Sequence, residues 1–285
     1  SQFPLNLAYN LGFLEEEFEG SNVTFTMDYF LNGPAISEAF ASGDLDFAEF
    51  GEQAAISGIS ADYGYKIIGR NCDTGTMYPL VVESDITDAE GLKGAKIAVS
   101  VGTSAHYLLL TYLESMGLSE QDIELVNTND TVTLLSSGEV QGAADQLAKF
   151  NSLIDAGEVH VLADGTASGT CQISAFVGRN DFCEQYPEIT AKILRAVQRV
   201  DEWMAESEEN QQEAFSTLAE ITQREETWFS TMYSGSNFGA DLTDQDLRVL
   251  EEVLQFMKDN ELLSNPDITM DDVLDLSYLE LAGLR

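Results

Sequence analysis

The sequence predicts an α/β protein of two lobes, each a mostly parallel sheet flanked by helices, joined by two hinge strands. Three observations predict it. Short strand-like runs alternate with runs of helical period in two successive blocks, the second opening at Ala95. Two longer extended runs, at 77–83 and 172–179, stand at the block boundaries and read as a hinge pair. After Asn180 the pattern is almost wholly helical, as expected of a tail that returns to the first lobe. The expected organisation is lobe I over 1–81, lobe II over 82–174, and a return to lobe I over 175–285.

Taken in order, Leu5 to Phe18 has helical spacing, with Gly20 as its stop. Val23 to Phe30 alternates like a strand. Asn32–Gly33–Pro34 opens a helix, with Pro34 at a first-turn position where its missing N–H costs nothing. Leu45 to Phe50 is a strand, and Gly51–Glu52–Gln53 starts the next helix. Tyr65 to Gly69 is a strand. The second block reads as strand 96–100, helix 104–116, strand 123–127, a short helix from Asp130, strand 140–145, a helix around Gln146 to Asp155, and strand 159–163. Ser119, Thr243 and Thr269 each have Asp three residues later, close to a capping box. In parallel α/β sheets, ligands sit beyond the carboxyl ends of strands, at helix N-termini. Both blocks offer such ends, and a cleft between the lobes would make them face each other.

The segment Lys96–Ile–Ala–Val–Ser–Val–Gly–Thr–Ser–Ala–His106 carries the clearest chemistry. A buried strand turns through Gly102 into a helix that Thr103 or Ser104 is placed to cap. Free N–H groups and the helix dipole then suit an oxyanion. No lysine lies in the turn and no GxxxxGK[ST] pattern occurs, so it is not a nucleotide P-loop.

Composition narrows the partner. The chain has 285 residues, with 13 Lys+Arg against 50 Asp+Glu, a net charge of −37. Nucleic acid is excluded, because phosphate binding needs clustered cations, and anionic lipid is disfavoured. No run of 18 apolar residues occurs. Cys72, Cys171 and Cys183 are widely spaced, so one disulfide or three thiols are both open. Two distant histidines give no metal-site pattern; His160 reads as core. Glu15–Glu16–Glu17 and the Glu206–Glu209 cluster read as solvated helix faces. Phe3, Tyr9, Phe50 and Tyr107 lie near strand ends or helix starts, where core packing and contact with an organic tail both explain them.

Four segments resemble ABC-importer substrate-binding proteins of the aliphatic-sulfonate, taurine and nitrate type. They are Asn32 to Glu52, Leu92 to His106, Val177 to Pro187 and Asp271 to Glu280, in order over nearly the whole chain. The resemblance implies a type II periplasmic-binding-protein fold. It implies a protein outside the cytoplasmic membrane, free or as a lipoprotein, acting as a monomer. Such a protein closes on a small anion or zwitterion and delivers it to a membrane permease and its ATPase, without a cofactor or metal and without catalysis. The implied ligand contacts are Asn32, Gly33, Pro34, Gly51, Glu52, Gln53, Gly102, Thr103, Ser104, His106, Asp145, Gln146 and Phe3. The family often shows Trp-Asp-Pro where this chain has Ala144–Asp145–Gln146. An aminosulfonate is favoured over nitrate, since its ammonium would pair with Asp145 or Glu52 in so acidic a protein. His106 is read either as structural or as lending positive charge to the pocket. Relatives that make thiamine pyrimidine use a Cys-rich segment with iron, and no such cluster occurs here. A pyrimidine-precursor binder, a nitrate binder and a solute-sensing module are the alternatives.

Overall fold

The computed structural model describes residues 3–30 and 33–285. The chain divides into two units: Ser1–Asp73 with Ile173–Ser230 and Asn237–Arg285, and Thr74–Gln172 with Thr231–Ser236. The strands are β1 (Phe47–Gly51), β2 (Tyr65–Thr74), β3 (Leu80–Glu83), β4 (Lys96–Val99), β5 (Glu124–Asn127), β6 (Gly142–Ala144), β7 (Val159–Ala163), β8 (Gln172–Arg179) and β9 (Ser236–Phe238). One sheet has the order β1-β8-β2-β9 and the other β5-β4-β6-β3-β7. No helix is long and apolar enough to cross a membrane among the described residues.

In the first unit, β1 runs antiparallel to β8, pairing Phe47 with Gly178 and Gly51 with Ser174. The helix Pro187–Glu206 is central to its packing. Pro187 sits in its first turn, and Ile193, Leu194, Val197, Val200 and Met204 recur at helical spacing on its buried face. Each such side chain contributes about 1.5–3 kcal/mol by leaving water. Ser207 ends that helix and caps the next, Glu208–Thr222, by accepting from the Asn210 N–H at 3.1 Å.

In the second unit, β4 pairs in parallel with β5 and β6, while β3 is antiparallel to β6 and β7. β3 enters after an extended run rather than a helical crossover, so no βα unit imposes its direction. The core gathers Val81, Ala98, Leu135, Val140, Ala143, Phe150 and Val159. Gly142 is required there, since a Cβ would lie 2.7 Å from Ile97 and 3.0 Å from Val82.

Several expectations are corrected. Leu5 to Phe18 is two helices, Phe3–Asn10 and Phe13–Glu17, because Gly12 takes φ +84° between them. Val23 to Phe30 alternates in exposure but forms no strand. It lies instead along a cavity of about 390 Å³, with Phe25 and Phe30 on one wall and Phe47, Phe182 and Ile193 on another. Gln146 to Asp155 is a 3-10 turn, Leu147–Lys149, and a short helix, Asn151–Asp155. The tail holds one short strand, β9. His160 is half-exposed, since it alternates with the buried Val159 in β7. Glu17 is not a solvated residue: Arg195 binds it at 3.0 Å, and Arg199 binds Glu16 at 2.6 Å. All three capping boxes are present, at Ser119/Asp122, Thr243/Asp246 and Thr269/Asp272. Cys72, Cys171 and Cys183 are buried and form no disulfide.

Candidate functional site

In the first unit, β1 runs through Gly51, in extended conformation, into the helix Glu52–Ser60. Gly51 has no side chain to cap that helix. The helix Gly33–Ser42 starts beside it: a Cβ on Gly33 would lie 2.6 Å from the Ala54 Cβ and 3.4 Å from Phe50. Glycine at 33 is therefore what lets two helix starts meet. Their first-turn N–H groups and dipoles make this corner electropositive. Glu52 offsets some of that; it is fully buried, and its Oε2 accepts from the Ile173 N–H at 3.2 Å. Gln53 is only 2% exposed, yet its Nε2 and Oε1 find no hydrogen-bond partner among the described residues. Asn32 lies outside the described residues, as does the side chain of Pro34.

Phe3 is packed into an aromatic cluster of the first unit. It is buried against Phe215, Phe229 and Phe238, with ring centroids 5.4–6.4 Å away. Burying a large ring in an aromatic cluster outweighs any gain from leaving it beside a solvated ligand.

In the second unit, β4 leads through Gly102, at φ +81°, into the helix Ser104–Ser115. Neither predicted cap is used that way. The Thr103 hydroxyl donates to the Ser100 carbonyl at 2.7 Å, and the His106 Nδ1 accepts from the Gly102 N–H at 3.4 Å. Asn127 Oδ1 accepts from the Val101 N–H at 3.1 Å. The turn is thus held from behind, and no side chain caps the helix start. Gly102 and Thr103 are exposed, while Ser104 and His106 are buried. Burial lowers the His106 pKa from its ordinary 6.5, only partly opposed by Glu120. His106 is therefore a neutral acceptor, which corrects the expectation of a positive charge there.

Asp145 and Gln146 follow β6. Asp145 Oδ2 accepts from Lys149 Nζ and Thr131 Oγ1, each at 2.7 Å, and its Oδ1 accepts from the Gln146 N–H at 2.7 Å. Lys149 is thus its ion partner. The Gln146 amide donates to the Tyr78 hydroxyl at 3.2 Å.

The structure thus joins Gly33 with Gly51–Gln53 in one unit, and Gly102–Thr103 with Ser104 and His106 in the other. Sequence reasoning missed a buried polar group in the first unit. Glu49, in β1, accepts from the Leu5 N–H at 3.2 and 3.3 Å and from the Asn71 amide at 3.5 Å; Asn71 also reaches the Ser174 hydroxyl at 3.4 Å. Asp201 lies near it on the helix Pro187–Glu206. The available signal was an acid set among apolar residues, Glu49 alone in Phe47–Ala–Glu–Phe50 and Asp201 beside Glu202 in Val200–Asp–Glu–Trp–Met204.

Three comparisons agree with this architecture. The chain is 25% identical over 256 residues to the taurine-binding periplasmic protein of Escherichia coli (strain K12), covering 84% of this chain and 78% of that protein. It is 22% identical over 283 residues to a putative aliphatic sulfonates-binding protein of Bacillus subtilis (strain 168), covering 98% and 84%. Its fold matches the crystal structure of the periplasmic aliphatic sulphonate binding protein SsuA from Escherichia coli with a TM-score of 0.84, at 19% identity, over 99% of this chain and 96% of that one. The family model described as NMT1/THI5 like matches residues 5–211, most of the sequence, and the chain belongs to that family.

Proposed function

We propose that the protein is the extracytoplasmic substrate-binding component of an ABC importer and holds a small organosulfonate, including taurine-like zwitterions. It works as a monomer and hands the solute to a membrane permease driven by an ATPase, without catalysis. The observation that carries the reading is the Gln53 amide, buried and without a hydrogen-bond partner among the described residues where two helices start. A sulfonate offers only acceptor oxygens, so it suits backbone N–H groups and an amide N–H together. The uncapped start of Ser104–Ser115 supplies donors of the same kind in the second unit. The near full-length likeness to named taurine and sulfonate binders supports the ligand class.

The proposed contacts are the backbone at Gly33, Gly51, Gly102 and Thr103, with Gln53 and Ser104. Glu52 and Gln146 are the further residues proposed to discriminate among ligands. Calorimetry against taurine, short alkanesulfonates, nitrate and an aminopyrimidine tests this. Sulfonates should bind and raise the melting temperature by mass action. Tight binding of nitrate or the pyrimidine, with none of a sulfonate, overturns it.

A further inference from the structure

We propose that Glu49 and Asp201 carry protons in the native state at neutral pH, so that the first unit is a proton-binding fold that weakens as its medium turns alkaline. This goes beyond the ligand reading and does not depend on it.

Arg70 is the cation that faces this region from β2, and it is committed elsewhere. Its Nη1 binds Asp73 and the Asn237 carbonyl, and its Nε binds the Asp241 carbonyl at 2.7 Å and lies 3.5 Å from Asp246. Glu49 is fully buried and Asp201 is 7% exposed. Neither carboxylate oxygen of Asp201 has a hydrogen-bond partner among the described residues. An ionised carboxylate in that position would forfeit its hydration with only the distant pull of the committed Arg70 in return, so it takes a proton instead.

The surroundings do not relieve this. The helix Phe3–Asn10, packed on β1, carries no charged side chain. The charge on β8 is Arg179, bound to Asp46 and Asp181. Glu52, on the helix after β1, is a further buried acid. From helix Pro187–Glu206 the neighbouring charge is Glu202, another acid, while Arg195 and Arg199 bind Glu17 and Glu16. Cys72 also faces the pair. Burial accordingly pushes the Glu49 carboxyl up to about 8, opposed in part by the Leu5 N–H and by the amino-terminal charge. Burial, reinforced by Glu49, pushes Asp201 well above the usual carboxylate range.

Acids raised in the folded state bind more protons there than when unfolded. Stability is then fully present below the unfolded value of 4.5 and is lost as pH rises toward about 8. For each proton retained, the folding equilibrium falls about tenfold per pH unit across that window.

The test measures urea unfolding of the first unit between about pH 5 and about pH 9, for wild type, Glu49→Gln and Asp201→Asn. Wild type should lose stability across the range, and each amide variant should flatten the slope and be more stable than wild type at the alkaline end. An unchanged slope in both variants overturns the proposal. A second measurement covers a variant that fails to fold. Infrared spectroscopy of the native wild type at neutral pH should show the carbonyl stretch of a protonated carboxylic acid, lost on raising the pH. Absence of that band, or a calcium- or sodium-specific rise in alkaline stability, points to bound cations instead and overturns it.

Discussion

Replacing Gln53 with Leu separates a ligand-reading amide from a structural one. In the native fold that amide is buried, with donor and acceptor both unused among the described residues. Such groups cost about 1–3 kcal/mol of desolvation. Leu has nearly the same reach and no polar atoms, so Gln53→Leu should stabilise the ligand-free protein by about that amount. At this chain length each kcal/mol moves a transition by about 2–4 °C, so the first unit should melt later by a few degrees. The cost appears on binding. A hydrogen bond to a charged partner contributes about 1.5–3 kcal/mol, so sulfonate affinity should fall between about tenfold and about a hundredfold. Differential scanning fluorimetry and calorimetry on the same samples read both quantities. Wild-type affinity in the variant would remove Gln53 from the site. An earlier melting transition would show that the amide has a structural partner.

Two further outcomes are expected. Phe3→Leu keeps most of the buried volume but breaks the ring contacts with Phe215, Phe229 and Phe238, so stability should drop by about 1–3 kcal/mol with sulfonate affinity unchanged; a selective loss of affinity would return Phe3 to the ligand. His106 has a lowered pKa in the fold, so its contribution is present above 6.5 and lost as pH falls below it. His106→Gln should flatten the acid limb of the second unit's stability profile, and an identical limb in the variant would show that the imidazole does not report there.

What could be read from the sequence was whatever depends on near neighbours. The capping boxes at 119, 243 and 269 need only two side chains three residues apart, and all three formed. The turn at Gly102 was legible because a glycine between a strand and a helix has few alternatives. The failures involve distant partners. Alternation over Val23–Phe30 shows which side chains face inward, but a strand also needs a neighbour with which to exchange hydrogen bonds. The role of Thr103 could not be read either, because His106 folds back to take the Gly102 N–H and leaves the hydroxyl to Ser100. From the sequence Asp145 suits either a pairing role or a ligand's cationic group, and the ion pair with Lys149, four residues on, is visible only in the fold. Glu49 and Asp201 sit among apolar neighbours in the sequence, but that local signal does not say which elements close over them.

The three sulfurs have a consequence for life in an oxidising medium. Attack on a disulfide or an oxidant requires the thiolate. Burial pushes Cys72 up to about 12 and Cys183 up to about 11, so at neutral pH neither ionises appreciably. Cys72 and Cys183 lie in one unit and Cys171 in the other. Cross-linking between molecules, or capture by an alkylating dye, is therefore gated by transient opening of whichever half holds the sulfur. The chain carries its own pair of clocks, each timing how often one half comes apart.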